Sequence, residues 1–162
     1  MTQNVQRCAE ISLPALQTLL GAYGLQVAML PENADIPGSY WGAPEAGLVL
    51  DTLYIRPDTP THSALYEAGH WICMDDARRA KLHTDAGGTV LEECAVNYLQ
   101  ILLAEALPDV GREQMLRDMT TWGYSYREGS VYAWLEGDAA DAIAWLQQRG
   151  LIDAQRQRIT HR

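Results

Sequence analysis

The residues best suited to chemistry in this sequence are Tyr66, Glu67 and His70, which lie within one turn and a half of a predicted helix. In the helical pattern H-E-x-x-H, two imidazoles one turn apart bind a metal ion, and the glutamate activates a metal-bound water. Here Tyr66 stands at the position of the first histidine. We therefore interpret His70 as a metal ligand, Glu67 as the general base, and Tyr66 as an atypical ligand or transition-state donor.

A second histidine, His62, lies on the same predicted face, because His62, Tyr66 and His70 follow one another at four-residue intervals. A rise of about 1.5 Å per residue separates His62 from His70 by about 12 Å along the helix axis. Zinc–nitrogen bonds are about 2.0–2.1 Å long, so one ion does not easily hold both rings. His62 is therefore a less favoured ligand, whereas Tyr66 and His70 have the separation of two ligands of one ion.

The next strong helical pattern begins at Thr89, ends before Pro108, and carries two adjacent carboxylates, Glu92 and Glu93. Glu92 shares a stripe with apolar residues, where a carboxylate is costly unless it is paired or bound to a metal. This favours Glu92 as a metal ligand, with Glu93, on a more polar stripe, as the less favoured candidate. Thr89 and Glu92 also match a capping box, in which Glu92 only closes the helix start. The two interpretations of Glu92 are compatible.

The elements that position these residues predict an α+β fold, in which a small antiparallel or mixed sheet packs on a mainly helical core. The helix with Tyr66 is predicted over 60–74, with Thr59 as its cap and Pro60 in its first turn. Other predicted helices run from Ser12, as cap, toward Gly24, over 112–121, ended by Gly123, and over 139–149, with Asp138 as cap. Strands are predicted at 26–30 and 48–55, extended segments at 124–126 and 130–135, and a connection at 77–88.

The rest of the chain is predicted to be less structured. Residues 33–47 form a loop-rich stretch around Tyr40 and Trp41, which is either a surface connection or an edge strand beside a substrate. Acidic residues at a helix C-terminus oppose the dipole, so the helix stops before Asp75 and Asp76 or they have another task. Residues 1–153 are expected to form one domain, followed by a solvated tail at 154–162.

Composition excludes several kinds of partner. The net charge of −9 and the isoelectric point near 4.7 disfavour nucleic acid and anionic membranes as partners. No apolar run approaches the length of about 20 residues that a membrane span needs. Three scattered cysteines fit reduced thiols in a cytoplasm, and Cys73 and Cys94 should be buried because each lies in an apolar helical pattern.

The strand at 48–55, the helix with Tyr66-Glu67-Ala68-Gly69-His70 and the second helix with Glu92-Glu93-Cys94-Ala95 together resemble the core of the gluzincin metallopeptidases. The order of these elements is most similar to small zincin-like domains of the ImmA/IrrE type. In that family the third metal ligand is a glutamate on the second helix, often followed by alanine three residues later. The resemblance covers roughly residues 48–107, and it carries this role to Glu92.

The resemblance implies a zinc-dependent peptidase that hydrolyses a peptide or protein substrate, with zinc held by His70 and Glu92. Tyr66 departs from the family pattern, because a phenol with a reference pKa of about 10 must lose a proton to bind a metal and an imidazole need not. The alternative is a metal-free relative, with no cofactor, that serves as a binding or regulatory module, for which the Tyr40–Trp41 loop is a candidate contact. The sequence indicates neither a particular substrate nor an oligomeric state.

Overall fold

A computed structural model describes residues 4–82, 89–124, 130–137 and 139–160. Within these ranges the chain forms a short 3-10 helix at Cys8–Glu10, three strands and seven α-helices, which agrees with the predicted α+β class. The helices are α1 Leu13–Gly21, α2 Thr61–Cys73, α3 Asp76–Ala80, α4 Val90–Glu105, α5 Gly111–Trp122, α6 Val131–Gly137 and α7 Ala140–Gln148.

The three strands form one mixed sheet in the order β1-β3-β2, with β1 at Gln26–Met29, β2 at Gly47–Val49 and β3 at Thr52–Ile55. Strand β3 runs parallel to β1 and antiparallel to β2. The prediction of one strand over 48–55 is wrong, because the chain reverses at Leu50 and Asp51 and pairs Leu48 with Leu53. Leu50 adopts a positive φ of 55° in this turn. A turn without glycine or asparagine gives no local signal of a hairpin.

Helix α2 lies at the centre of the molecule. Its Leu65, Ala68 and Ile72 are buried in the main hydrophobic cluster, as their spacing predicts. Pro60, one residue before the first helical residue, occupies the cap position. The prediction of Thr59 as the cap is wrong, because its hydroxyl accepts a hydrogen bond from the backbone N–H of Arg56 instead.

Helix α2 ends before Asp75, and the chain immediately starts α3, a helix that the predicted connection at 77–88 omits. The Asp75 carboxylate caps α3 by accepting a hydrogen bond of 2.8 Å from the Arg78 N–H. Asp75 therefore has a role other than ending α2, which is one of the alternatives that the sequence allows. The N-terminus of a helix favours negative charge, so an aspartate is a suitable cap for α3. From α3, Arg78 contacts Glu92 of α4 and Arg79 contacts backbone carbonyls of α2. Residues 83–88, the remainder of the predicted connection, lie outside the described residues.

Helix α4 packs on α2 more extensively than any other pair of described elements. Thr89 caps α4 as predicted, with its hydroxyl accepting a hydrogen bond of 3.1 Å from the Glu92 N–H. The two helices approach closely at Gly69, where an added Cβ would lie 3.1 Å from Val96 Cγ1 and 3.3 Å from the Val96 carbonyl oxygen. Gly69 therefore permits the helix spacing that brings the polar residues of α2 and α4 into contact.

Part of the C-terminal half that the sequence predicts to be extended is helical in the structure. Ser12 caps α1 and Gly123 ends α5 in the left-handed conformation, both as predicted. The extended segment predicted at 130–135 is wrong: it forms α6, whose start is stabilised by a hydrogen bond from the Ala133 N–H to the Ser130 hydroxyl. Asp138, the predicted cap of α7, and residues 125–126 lie outside the described residues.

The described part of the tail, 154–160, folds back on the domain rather than extending from it. Residues 154–157 are exposed, whereas 158–160 are half-buried. The Ile159 N–H donates to the Leu151 carbonyl at 2.9 Å, and the Arg158 guanidinium reaches the Tyr23 hydroxyl at 3.2 Å. None of the helices in the described ranges has the length and apolar composition needed to cross a membrane.

The three cysteines form no disulfide with one another and lie in different environments. Cys73 is buried as predicted, but Cys94 is only partly buried, because it lies on the side of α4 next to Glu93. Cys8 is the buried first residue of the 3-10 helix, and burial raises the pKa of its thiol to about 12.

Gly69→Val should destabilise the fold by about 2 kcal/mol or more, because the new side chain must displace the backbone of α4 as well as Val96. Gly21→Val is the matched control: Gly21 is also helical, and an added Cβ there meets nothing within 4 Å. It should change stability little, since valine is slightly better than glycine in a helix. Chemical denaturation of both variants measures the free energies of unfolding. Equal losses would contradict the close packing of α2 on α4.

Candidate functional site

The candidate site lies along a polar interface between α2 and α4. The helices run antiparallel there. His70, near the end of α2, contacts Glu93 at the start of α4, whereas the carbonyl oxygen of His62, near the start of α2, accepts a hydrogen bond from Gln100, further along α4. The two stripes are those predicted from spacing: His62, Tyr66 and His70 on α2, and Glu93, Asn97 and Gln100 on α4. The polar stripe of α4, rather than its apolar stripe with Glu92, therefore faces the candidate residues of α2.

Glu93 connects both candidate ligands of α2. Its Oε2 accepts a hydrogen bond of 2.6 Å from the Tyr66 hydroxyl, and its Oε1 lies 2.9 Å from His70 Nε2. Burial by itself raises the pKa of the Glu93 carboxyl, but the hydrogen bonds and charge of His70 and the bond from Tyr66 outweigh it, so the pKa lies below its ordinary value. Glu93 is therefore an ionised acceptor at neutral pH.

Tyr66 is a neutral hydrogen-bond donor in this arrangement. Burial raises the pKa of its phenol, and the hydrogen bond to Glu93 and the negative charges of Glu93 and Glu67 raise it further. The phenol ring packs edge-on against the His70 ring, with 4.7 Å between the centroids. A phenol held in its protonated form presents its proton to Glu93 and offers a metal only a weak, neutral oxygen.

The His70 ring is fixed by the same carboxylate. The ring is buried, and Nδ1 has no hydrogen-bond partner among the described residues. A buried N–H without an acceptor is costly, so the hydrogen-bond pattern assigns the proton to Nε2, which donates to Glu93. In this tautomer the nitrogen that faces the site is a donor, and it is not available as a metal ligand without losing that proton.

Glu92, the favoured third ligand of the sequence analysis, points away from His70. Both of its oxygens accept hydrogen bonds of 2.9 Å from the Arg78 guanidinium, in a bidentate ion pair. The expectation that a carboxylate on this apolar stripe must be paired is met, but by an arginine rather than a metal. Its side chain does not return to Thr89 either, so only the hydroxyl half of the predicted capping box forms.

The other end of the polar interface holds His62. Its Nδ1 lies 3.1 Å from the Tyr124 hydroxyl, which also accepts a hydrogen bond of 3.2 Å from Gln100 Nε2. Burial, with a smaller contribution from the charge of Arg7, lowers the pKa of His62 to about 3. His62 is therefore a neutral, packed histidine, and its separation from His70 agrees with the spacing argument against a shared ion.

Glu67, the candidate general base, is buried on α2 beside these residues. Its negative charge contributes to raising the pKa of both Tyr66 and Tyr124, which places it close to the two phenols. Both rings also contact each other edge-on at 6.1 Å. The candidate residues Tyr66, Glu67, His70 and Glu93 are thus brought together, whereas Glu92 and His62 are held elsewhere.

The donors at this site do not fit the zinc ion that the resemblance implies. A catalytic zinc takes three protein ligands and a water. Near Tyr66 the imidazole of His70 and the carboxylate of Glu93 are hydrogen-bonded to each other, while the phenol keeps its proton. No group of three or more histidine, cysteine, aspartate or glutamate side chains within the described ranges is arranged to hold a metal ion.

Beside the Tyr66–Glu93 pair is an open cleft of about 580 Å³. Trp41, which is 70% exposed, stands at its rim on the loop that precedes β2. This loop is a surface connection and not an edge strand. The lining residues come from four parts of the chain and are Trp41, Glu45, Ser63, Tyr66, Glu93, Asn97, Trp122, Gly123 and Tyr124.

The loop that carries Trp41 is held firmly at its base. The Ala46 N–H donates a hydrogen bond of 3.0 Å to the Ser63 hydroxyl in the first turn of α2. Gly38 and Gly47 lie so close that a Cβ on Gly47 would be 2.1 Å from the Pro37 carbonyl oxygen. These contacts fix the loop over the N-terminal end of α2, so Trp41 has a defined place beside the cleft.

Sequence reasoning misses Arg78, Trp122 and Tyr124 as parts of this region. Arg78 follows Asp75 at the spacing of a capped helix, which is the signal that identifies α3 and its reach toward Glu92. Trp122 and Tyr124 flank Gly123, and no local pattern relates them to α2, because they meet the cleft only through the packing of α5.

Comparison with protein-family models, with curated proteins and with solved structures finds no match to this chain. The similarity to zincin-like domains rests on the residues quoted above.

Tyr66→His should create a zinc site, because it places two imidazoles at i and i+4 opposite a carboxylate that already faces both positions. The affinity for zinc should rise by orders of magnitude, since a neutral nitrogen replaces a protonated phenol. Competition against a chromophoric chelator measures the affinities of wild type and variant.

The identity of the third ligand separates this geometry from the family pattern. In the Tyr66→His background, Glu93→Gln should abolish the gain in affinity, and Glu92→Gln should leave most of it. His70→Ala should also abolish it. A gain that survives Glu93→Gln but is lost with Glu92→Gln would contradict the arrangement of α4 described here.

Glu93→Gln should lower the free energy of unfolding by roughly 1 kcal/mol at neutral pH, because a charged acceptor of two hydrogen bonds is replaced by a neutral amide and the site is partly open to solvent. The pKa of Glu93 is depressed in the folded state. Its contribution is therefore present above the unfolded-state pKa of about 4.3 and is lost as the pH falls through the folded-state pKa. Denaturant unfolding of both proteins across the acidic range should show the difference shrinking. A constant difference would contradict an ionised Glu93.

Proposed function

We propose that this chain is a metal-free, peptidase-like domain that binds peptide segments of partner proteins in the cleft beside Tyr66 and Glu93. The observation that carries the proposal is the hydrogen bond of 2.6 Å from the Tyr66 hydroxyl to Glu93. A residue at a ligand position donates a hydrogen bond to the carboxylate that would otherwise complete the metal site. Tyr66, His70 and Glu93, the groups that would bind a metal ion, are instead hydrogen-bonded to one another.

The cleft supports a peptide as the ligand. Its volume of about 580 Å³ lies within the range of about 300–1,000 Å³ that small-ligand sites occupy. The aromatic rings of Trp41, Trp122 and Tyr124 supply apolar surface, and the carboxylates of Glu45 and Glu93 supply hydrogen-bond acceptors. This mixture suits a peptide, which presents both side chains and backbone amides.

A zinc-dependent peptidase is the second proposal. It is supported by the placement of Glu67, His70 and Glu93 beside one another, with Glu67 in the position of a general base. It requires a phenol to lose its proton against burial and two neighbouring carboxylates, which makes metal binding unfavourable. A cytoplasmic location remains a prediction, and the free thiols of the chain are compatible with a reducing compartment.

The two proposals are separated by incubating the purified, untagged chain with a mixed-sequence peptide library, with and without added zinc. Mass spectrometry should detect no zinc-dependent cleavage by wild type, and elemental analysis should find no stoichiometric metal. The immobilised wild type should retain peptides that Trp41→Ala releases, because Trp41 forms the rim of the cleft. Leu50→Ala, which removes another exposed apolar side chain away from the cleft, should retain them.

Cleavage that depends on zinc and disappears in Glu67→Gln would overturn the binding proposal in favour of the peptidase. Retention that is unchanged in Trp41→Ala would show that peptides are not held in this cleft.

A further inference from the structure

The cleft is acidic and aromatic. Among the described residues, its lining includes two carboxylates, Glu45 and Glu93, and no lysine or arginine. Four aromatic side chains complete the walls, from Trp41, Tyr66, Trp122 and Tyr124. A cation is stabilised by both kinds of group, whereas an anion is repelled by the carboxylates and by the negative faces of the rings.

No lysine or arginine among the described residues pairs with Glu93. Its two partners there, the Tyr66 hydroxyl and His70 Nε2, both donate hydrogen bonds to it. The Glu93 side chain is 40% exposed, and each carboxylate oxygen can accept a second hydrogen bond. Glu92, by contrast, is neutralised by Arg78 and is closed to further partners. The two adjacent carboxylates thus differ, because Glu92 is paired with Arg78 whereas Glu93 lines the cleft and has no arginine or lysine partner among the described residues.

Glu45 provides a second carboxylate in the cleft, from the loop that precedes β2. It is half-buried on the loop before β2 and receives a side-chain hydrogen bond from Trp122. That bond comes from a neutral indole N–H, so it orients the carboxylate without compensating its charge. The cleft therefore presents carboxylates from both α4 and the loop, with the ring of Trp122 beside one of them.

Three tryptophan rings of this protein lie beside guanidinium groups. Arg79 lies 3.8 Å from the centroid of Trp71, and Arg149 lies 3.7 Å from that of Trp145. Arg7 lies 5.9 Å from the Trp122 ring but is not part of the cleft lining. Trp41 has no such cation within the described residues, and its ring is 70% exposed at the rim.

We propose that the cleft binds the side chain of a lysine or arginine residue in a partner peptide. The cationic head pairs with Glu93 and Glu45 and the aliphatic stem lies against Trp41 and Trp122. The inference rests on the proposed peptide-binding function and specifies which side chain the cleft selects. Contact of the cationic head with the aromatic rings adds a cation–π attraction to the ion pairs with the carboxylates. The aliphatic stem of the basic side chain packs on the apolar walls while its charged head stays at the carboxylates.

The test is a titration of the ¹⁵N-labelled full chain with acetylated and amidated glycine–serine peptides that differ only in one central residue. That residue is lysine, arginine, norleucine or glutamate. Indole N–H signals of Trp41 and Trp122 locate the binding, and their shifts give the dissociation constants. Lysine and arginine peptides should bind about tenfold or more tightly than the norleucine peptide, and this advantage should fall with added salt.

Two variants assign the preference to the cleft. Glu93→Gln should reduce the advantage of the basic peptides over norleucine about tenfold, whereas Glu105→Gln, a carboxylate at the far end of α4 outside the cleft, should not. Trp41→Ala should weaken binding of basic peptides, and Leu50→Ala should not. The Trp41 variant keeps the test decisive if Glu93→Gln disturbs the start of α4.

Equal binding of the lysine, norleucine and glutamate peptides would overturn this inference and leave the peptide-binding proposal standing. Binding of none of the four would overturn both. A preference for lysine that persists unchanged in Glu93→Gln and Trp41→Ala would place the basic side chain elsewhere on the molecule.

Discussion

The carboxylate of Glu93 is the group on which the architecture of the site depends. At the start of α4 it contacts both Tyr66 and His70, and it accepts hydrogen bonds from a phenol and an imidazole that α2 packs against α4. Buried polar groups must be hydrogen-bonded, and here one acceptor serves two donors that lie one turn apart. The close approach of the helices at Gly69 makes this possible, because it leaves no room for an intervening side chain.

The neighbouring carboxylate has a separate task. Successive residues on a helix point about 100° apart, so Glu92 and Glu93 cannot reach the same partner. Glu92 is buried and pairs with Arg78 on α3, which ties the connection after α2 to the start of α4. Glu93 accepts hydrogen bonds from Tyr66 and His70 and remains partly exposed. Both lie in the first turn of α4, where the helix dipole favours negative groups. Glu92 thus forms a structural ion pair, while Glu93 contributes a carboxylate to the wall of the cleft.

Much of the helical scaffold is predictable from local patterns. Ser12, Thr89 and Gly123 act where capping rules place them, and the apolar stripe with Leu65 and Ala68 faces the core as its spacing predicts. The stripe of His62, Tyr66 and His70 is also present. These features are local, since they depend on residues within a few positions of each other.

The errors arise where the deciding partner is distant or the signal is weak. The hairpin at Leu50 has no glycine or asparagine to mark it, and α6 is stabilised by packing rather than by propensity. The choice of Glu92 over Glu93 assumes that polarity on α4 indicates solvent. In the structure the polar stripe is buried against the polar stripe of α2, and Glu92 is satisfied by Arg78 from a helix that the sequence analysis omits.

The central claim is that Tyr66 acts as a neutral donor to Glu93 at a position where the resemblance expects a metal ligand. The most direct measurement is a crystal structure of the wild-type chain grown with excess zinc, with anomalous data collected at the zinc edge. The account predicts that the Tyr66 hydroxyl lies within hydrogen-bonding distance of Glu93 and that no anomalous peak lies between Glu93 and His70. A zinc ion coordinated by His70 and Glu93, with the Tyr66 oxygen as a third ligand, would contradict it.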